Sequence, residues 1–240
     1  TWDDKEMKVN MNAFEYLTAN GVPVKAATDR YQLTHQKTLV IDNTTAVIMT
    51  FNLVTKYYKT GRDFGIVNTH PDDVSEIVRV FDADWNDAPV TPKETDLVWS
   101  PGSRDELISV IDSATKYLLV YCQEMGDRAS ERALKQAAER GVKVMVLMTD
   151  APNWHKAYAS LVSSGVEVRT FDAKDKTIYI HTKVIIADGE RAYVGSENFS
   201  AASLDKNREL GIILSKKDVI EKISGIFAAD WSRAQPITGQ

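Results

Sequence analysis

Two stretches of this 240-residue chain carry the same chemistry-bearing side chains at the same spacing. Leu33 to Asp42 reads L-T-H-Q-K-T-L-V-I-D and Tyr179 to Asp188 reads Y-I-H-T-K-V-I-I-A-D; in each, a His is followed two residues later by Lys and seven later by Asp. Residues two apart on a strand point to one face, so the imidazole and the ammonium group of each copy project together. The apolar runs behind them, Thr38-Leu39-Val40-Ile41 and Val184-Ile185-Ile186-Ala187, predict buried strands. One copy makes half a site. Two copies facing each other would place two imidazoles and two ammonium groups around one small volume, which suits a tetrahedral phosphate. The lysines neutralise non-bridging oxygens, one His attacks phosphorus, and the other protonates the leaving oxygen. Such chemistry requires neither metal nor cofactor.

The correspondence runs beyond the motif. With an offset of 146 and no gap, Thr50 and Asn52 fall on Ser196 and Asn198, Arg62-Asp63 on Arg208-Glu209, Gly65 on Gly211, Phe81 on Phe227, and Asp84-Trp85 on Asp230-Trp231. This is an internal duplication. Asn52 and Asn198 are expected to donate amide hydrogens to phosphate oxygens. An acid 28 residues after each His, Asp63 or Glu209, is suited to accept from the second imidazole nitrogen and fix its tautomer.

The doubled H-x-K-x4-D segments with their matched followers resemble the phospholipase D superfamily, over a span from about Asn12 to Trp231. The resemblance implies a metal-independent, two-step phosphodiester reaction through a phosphohistidine. Carried over position by position, His35 is the implied nucleophile and His181 the general acid. Lys37, Lys183, Asn52 and Asn198, with the hydroxyls of Thr50 and Ser196, are the implied phosphate binders, and Asp63 and Glu209 orient the imidazoles. Asp42 and Asp188, at strand ends, are expected to be structural, each paired with a backbone donor or a cation. The copies differ where Met49-Thr50 replaces Gly195-Ser196 and where Asp63 replaces Glu209.

The elements that must hold these residues alternate strand and helix. The expected fold is α/β: two repeats, each a mixed sheet flanked by helices, with the site at their interface. Residues 1–92 are assigned to the first half and 93–240 to the second, joined by the linker Asp87 to Glu94. The second half should contain an entry strand near Leu97, helix Arg104–Ala114, strand Tyr117–Cys122, helix Ser130–Arg140 and strand Lys143–Met148, about 50 residues with no counterpart in the first. The first half should open with a helix over Met11–Leu17 stopped by Gly21 and a strand Val22–Ala27. It therefore reads as lacking its first strands and helices, to be supplied by a separate chain or segment, because a sheet without them exposes edges and apolar surface.

Hydrophobic content of 43% supports a substantial core, and a net charge of −5 argues against a generally basic nucleic-acid-binding surface. Phospholipid or another small phosphodiester is the expected partner, with peripheral membrane contact. Alternatives are an endonuclease on DNA or RNA, a cardiolipin-synthase-like phosphatidyltransferase, and a non-catalytic phosphate-binding scaffold. The compartment is not fixed, with a secreted, periplasmic or membrane-peripheral location favoured. No apolar run approaches the roughly 20 residues a spanning helix needs. Cys122 is expected in the core, His70 and His155 at the surface. Along helix Pro71–Asp87, Val74, Ile77, Val78, Phe81 and Trp85 should form an inner stripe, with Trp231 its counterpart. Trp99 should pack, Trp154 should dock in a loop, and Lys56-Tyr57-Tyr58-Lys59 offers a basic, aromatic loop for a lipid headgroup or single-stranded nucleic acid.

Overall fold

A computed structural model describes residues 4–55, 58–174 and 178–238. The first repeat contributes helix α1 (Asp4–Ala19), strands β1 (Thr38–Ile41), β2 (Thr45–Met49), β3 (Gly61–Arg62) and β4 (Gly65–Asn68), and helix α2 (Pro71–Trp85). There follow β5 (Leu97–Ser100), α3 (Arg104–Asp112), β6 (Tyr117–Tyr121), α4 (Arg128–Glu139), β7 (Lys143–Thr149), α5 (His155–Ser163) and β8 (Glu167–Phe171). The chain closes with β9 (Tyr179–Ile180), β10 (Lys183–Ala187), β11 (Arg191–Gly195), α6 (Ala201–Asp205), β12 (Glu209–Leu214), α7 (Lys217–Arg233) and β13 (Gln235–Pro236).

An eight-stranded mixed sheet, ordered β13-β8-β7-β6-β10-β11-β12-β5, organises the second repeat. Its central strand β10 has helices over both faces, which is why Val184 to Ala187 can be apolar without alternation. Ile185 joins a core with Leu107, Leu134 and Leu161 from α3, α4 and α5, whereas Val184 and Ile186 face Ile220, Ile223 and Phe227 of α7. The first repeat has a three-stranded antiparallel sheet, β1-β2-β4. Val74, Ile77 and Val80 of α2 wedge it against Leu97, Trp99, Leu210 and Ile212 at the edge of the large sheet.

Within the aligned repeats, Gly195 and Gly211 sit opposite each other across β11 and β12, under the Tyr193 ring. A Cβ on Gly195 would lie 2.5 Å from the Gly211 Cα, so only glycine fits. In the first repeat the Met49 side chain fills the matching space opposite Gly65, and Met49 is buried there. The bulkier Met49-Thr50 pair is therefore accommodated by a different packing of the same hairpin.

One expected strand and two expected core side chains differ. Val22–Ala27 forms no strand: its counterpart β8 exists through ladders to β7 and β13, and residues 22–27 have no such neighbours among the described residues. Phe81 is 52% exposed instead of lying in the inner stripe, and Trp85 is half-buried beneath Lys25. Val80 takes the buried position instead. Cys122 and Trp99 are buried, His70 and His155 are exposed, and Trp154 packs beside Gly126 against the main core. In the basic, aromatic loop, Lys56 and Tyr57 lie outside the described residues; Tyr58 is exposed.

Candidate active site

Each motif His stands just before its strand, β1 or β10, and is gripped by the opposite repeat. The backbone N–H of His35 donates to the Arg208 carbonyl at 2.8 Å, and that of His181 lies 3.4 Å from the Arg62 carbonyl. The parallel pairing of β3 with β9 and the single bridge Thr34 to Arg208 are the two copies of this crossing. The residue after each arginine completes it. His35 Nδ1 donates to Glu209 Oε2 at 2.7 Å, and His181 Nδ1 donates to Asp63 Oδ1 at 3.0 Å. Spacing along the chain would have paired each His with the acid of its own repeat. The fold exchanges them, so both sites are built from both repeats. With Nδ1–H committed to a carboxylate, Nε2 of each ring holds the lone pair.

The arginines cross as well. Arg62 binds Asp230 in a fork, 2.6 and 2.9 Å, and Arg208 binds Asp84 at 2.9 and 3.1 Å. Arg208 is fully buried, with its guanidinium 4.1 Å from the Tyr31 ring centre and 5.7 Å from that of Trp99. Tyr121 donates to Asp230 at 2.7 Å. Asp84-Trp85 and Asp230-Trp231 were visible in the aligned repeats, but nothing in spacing told that their acids anchor the opposite repeat's arginine.

Thr50 and Ser196 correct an expectation. Both are fully buried. Thr50 Oγ1 donates to Asp63 Oδ1 at 2.7 Å, and Ser196 exchanges hydrogen bonds with the backbone of Leu210. Their side chains lie under the orienting acids, in a strand hairpin closed to phosphate. Glu209 is further held by Ser203 at 2.7 Å and Asn207 at 3.1 Å, two residues the spacing did not single out. Burial pulls the Glu209 carboxyl upward, but donation from His35 and these hydroxyls keeps its pKa below the ordinary value.

Asn52 is half-buried and Asn198 buried, and neither side-chain amide donates a hydrogen bond among the described residues. Lys37 and Lys183 each donate to the carbonyl of their own motif His, and Lys183 also donates to Gln123 Oε1 at 2.9 Å. Gln123, just beyond β6, in turn donates to the Tyr179 hydroxyl. Only the position of Gln123 after an apolar strand hinted at it. Burial lowers Lys37 to about 7, with Glu209 opposing and the charge of Lys183 adding to the drop; burial likewise lowers Lys183 to about 8. Burial also lowers His181, partly offset by Asp63. His35 is the accessible ring, 26% exposed in its side chain against 6% for His181.

Because an ammonium group binds an anionic diester only while charged, kcat/KM should fall as pH rises through the range from about 7 to about 8. A pH profile flat to pH 10 would show that neither lysine carries the binding.

Asp188 is held at the start of β6. Its carboxylate accepts from the backbone N–H groups of Thr115, Lys116 and Tyr117 and from the Thr115 hydroxyl, all at 2.8 Å. Burial raises its pKa, yet these donors hold it at about 2. Asp42 is exposed and has no such donors among the described residues. Both adopt positive φ, 56° and 52°. Asp188→Ala and Asp42→Ala therefore share the backbone cost, and the first should be more destabilising by about 1–2 kcal/mol in urea unfolding. Equal losses would assign the effect to backbone strain alone.

The family described as "Cardiolipin synthase, PLD-like domain" matches residues 3–85 and 107–231. The chain belongs to this phospholipase D-like family. The matched segments carry both crossed His–acid pairs. A cardiolipin synthase of Listeria monocytogenes is 25% identical over 242 residues, 85% of this chain and 49% of that enzyme. The chain thus spans about half the length of the curated relatives it matches. Among solved structures, the phospholipase D family member Nuc from Salmonella typhimurium superposes with a TM-score of 0.54 at 24% identity, over 59% of this chain and 95% of that one. Phosphatidylserine synthase of Haemophilus influenzae gives 0.65 at 12% identity, over 85% and 63%. The family and the phospholipase D-type fold are shared, and at family level the chemistry is phosphodiester transfer. Among the described residues, no three His, Cys, Asp or Glu are grouped to hold a metal ion, and no helix is long and apolar enough to cross a membrane.

Proposed function

We propose that this chain carries a phospholipid phosphodiester-transfer centre working through a phosphohistidine. The observation that carries the reading is the crossed pairing of His35 with Glu209 and His181 with Asp63, beside Lys37 and Lys183. His35 is the attacking group because it is the accessible ring and its Nδ1–H is fixed by a buried carboxylate. Its Nε2 forms a bond to phosphorus while the bond from phosphorus to the leaving oxygen breaks. His181, charged once the anionic substrate offsets its burial, gives that oxygen its proton. Neutral His181 then takes the proton of an incoming water or alcohol, whose oxygen displaces His35 from phosphorus. Lys37, Lys183, Asn52 and Asn198 hold the non-bridging oxygens throughout. These groups supply the charge a bound metal would otherwise provide, so turnover should proceed in a strong chelator.

Phospholipid is favoured as substrate because the relatives over most of this chain are cardiolipin synthases and the net charge is acidic. The test is incubation with labelled phosphatidylglycerol and a primary alcohol. A phosphatidyl-alcohol product that vanishes in His35→Ala supports the reading. No lipid product, with cleavage of an oligonucleotide instead, would overturn it in favour of a nuclease.

A further inference from the structure

The first repeat leaves three features uncovered side by side, and the second repeat shows what covers each of their counterparts. The outer edge of β1 has no ladder partner among the described residues, whereas β10 pairs there antiparallel with β6, Val184 opposite Tyr121 through Ala187 opposite Leu118. Leu39 and Ile41 are 45% and 51% exposed, whereas Ile185 and Ala187 are 1% and 2% exposed within the core that α3 shares. Phe81 is open beside a groove of about 490 Å³ lined by Thr38, Leu39, Val40 and Ile77, whereas Phe227 packs edge-on against Tyr121, ring centres 4.8 Å apart. Asp42 repeats Asp188 without the strand-opening N–H groups that Asp188 binds.

We propose that the edge of β1 is a docking site for an antiparallel β-strand of the β6 kind, from a helix–strand segment that residues 4–238 do not contain. The duplication fixes its register. Four residues pair with Thr38 to Ile41, an aromatic stands opposite Thr38 over Phe81, and the first N–H groups of the strand fall on the Asp42 carboxylate. Edge-strand addition uses the exposed backbone for affinity and the side-chain pockets for selectivity. The helix preceding the strand covers Leu39 and Ile41, as α3 covers β10 in the second repeat.

The test uses the whole chain and a fluorescein-labelled peptide copying Ser113 to Gln123 with Cys122→Ser. Saturable binding that slows amide exchange at least tenfold over residues 37–42 is expected. Phe81→Lys and Asp42→Ala, both at exposed positions, should each weaken binding about tenfold with unchanged circular dichroism. No protection at millimolar peptide, protection elsewhere than residues 37–42, or binding indifferent to both variants would overturn the proposal. So would a dimer that already protects these residues without peptide, which would make a second copy the occupant.

Discussion

His35→Ala and His181→Ala should each lower turnover of a diester with an alkyl leaving group by about 10⁴-fold or more. The urea midpoint should hardly move in His35→Ala, where the ring is partly exposed. The two losses have different causes, and the leaving group separates them. A nitrophenolate departs without a proton, so on a nitrophenyl diester His181→Ala should recover most of its loss in the first step, read as the rate of a single-turnover burst of nitrophenolate, while His35→Ala recovers none. The crossed pairing extends the test to the acids. Asp63→Asn holds the His181 ring wrongly and should be rescued in the same way; Glu209→Gln disturbs His35 and should not be. If each acid served the His of its own repeat, the pattern would invert for the acids alone. Inversion for all four variants would instead make His181 the nucleophile.

The largest expected effect on stability is that of Asp84→Ala. It leaves the Arg208 guanidinium buried between Tyr31 and Trp99 with its counter-charge gone, side chains 2% and 15% exposed in the intact pair. Removing one partner of such a pair costs about 3–5 kcal/mol. A total of 5–15 kcal/mol is usual for a folded protein, so much of the margin would go. Lys217→Ala, whose partner Glu190 is also exposed, should change stability by less than about 1 kcal/mol. Equilibrium urea unfolding reads both as midpoint shifts at constant slope. A small shift for Asp84→Ala would mean that water or a rotated side chain reaches Arg208. Turnover should fall with it, since the Arg208 carbonyl holds the His35 backbone.

Most elements were legible because their signals are local. The helices α3 and α4 and the strands β6, β7 and β10 follow from periodicity and apolar runs, and their ends moved by only a residue or two. The failures were non-local. Val22–Ala27 has strand-forming residues but no ladder partner among the described ones, and a strand is a relation between two segments. Phe81 has the helical register of a core residue, but register tells only which face a residue shares. Whether anything covers that face depends on a neighbouring strand.

By itself, the sequence determined the doubled His-Lys-Asp motif, the duplication behind it, the phosphodiester chemistry that two imidazoles and two lysines suit, and the family. These are properties of residue type and spacing, and a one-dimensional pattern records them fully. Only the tertiary structure decided which repeat each residue serves. An offset of 146 makes His35 equivalent to His181 and Asp63 equivalent to Glu209, and this holds equally for contacts within a repeat and between repeats. The backbone pairings of β3 with β9 and of Thr34 with Arg208 break that tie. They thread each Arg–acid pair into the opposite half, and hence each imidazole is oriented from across the interface.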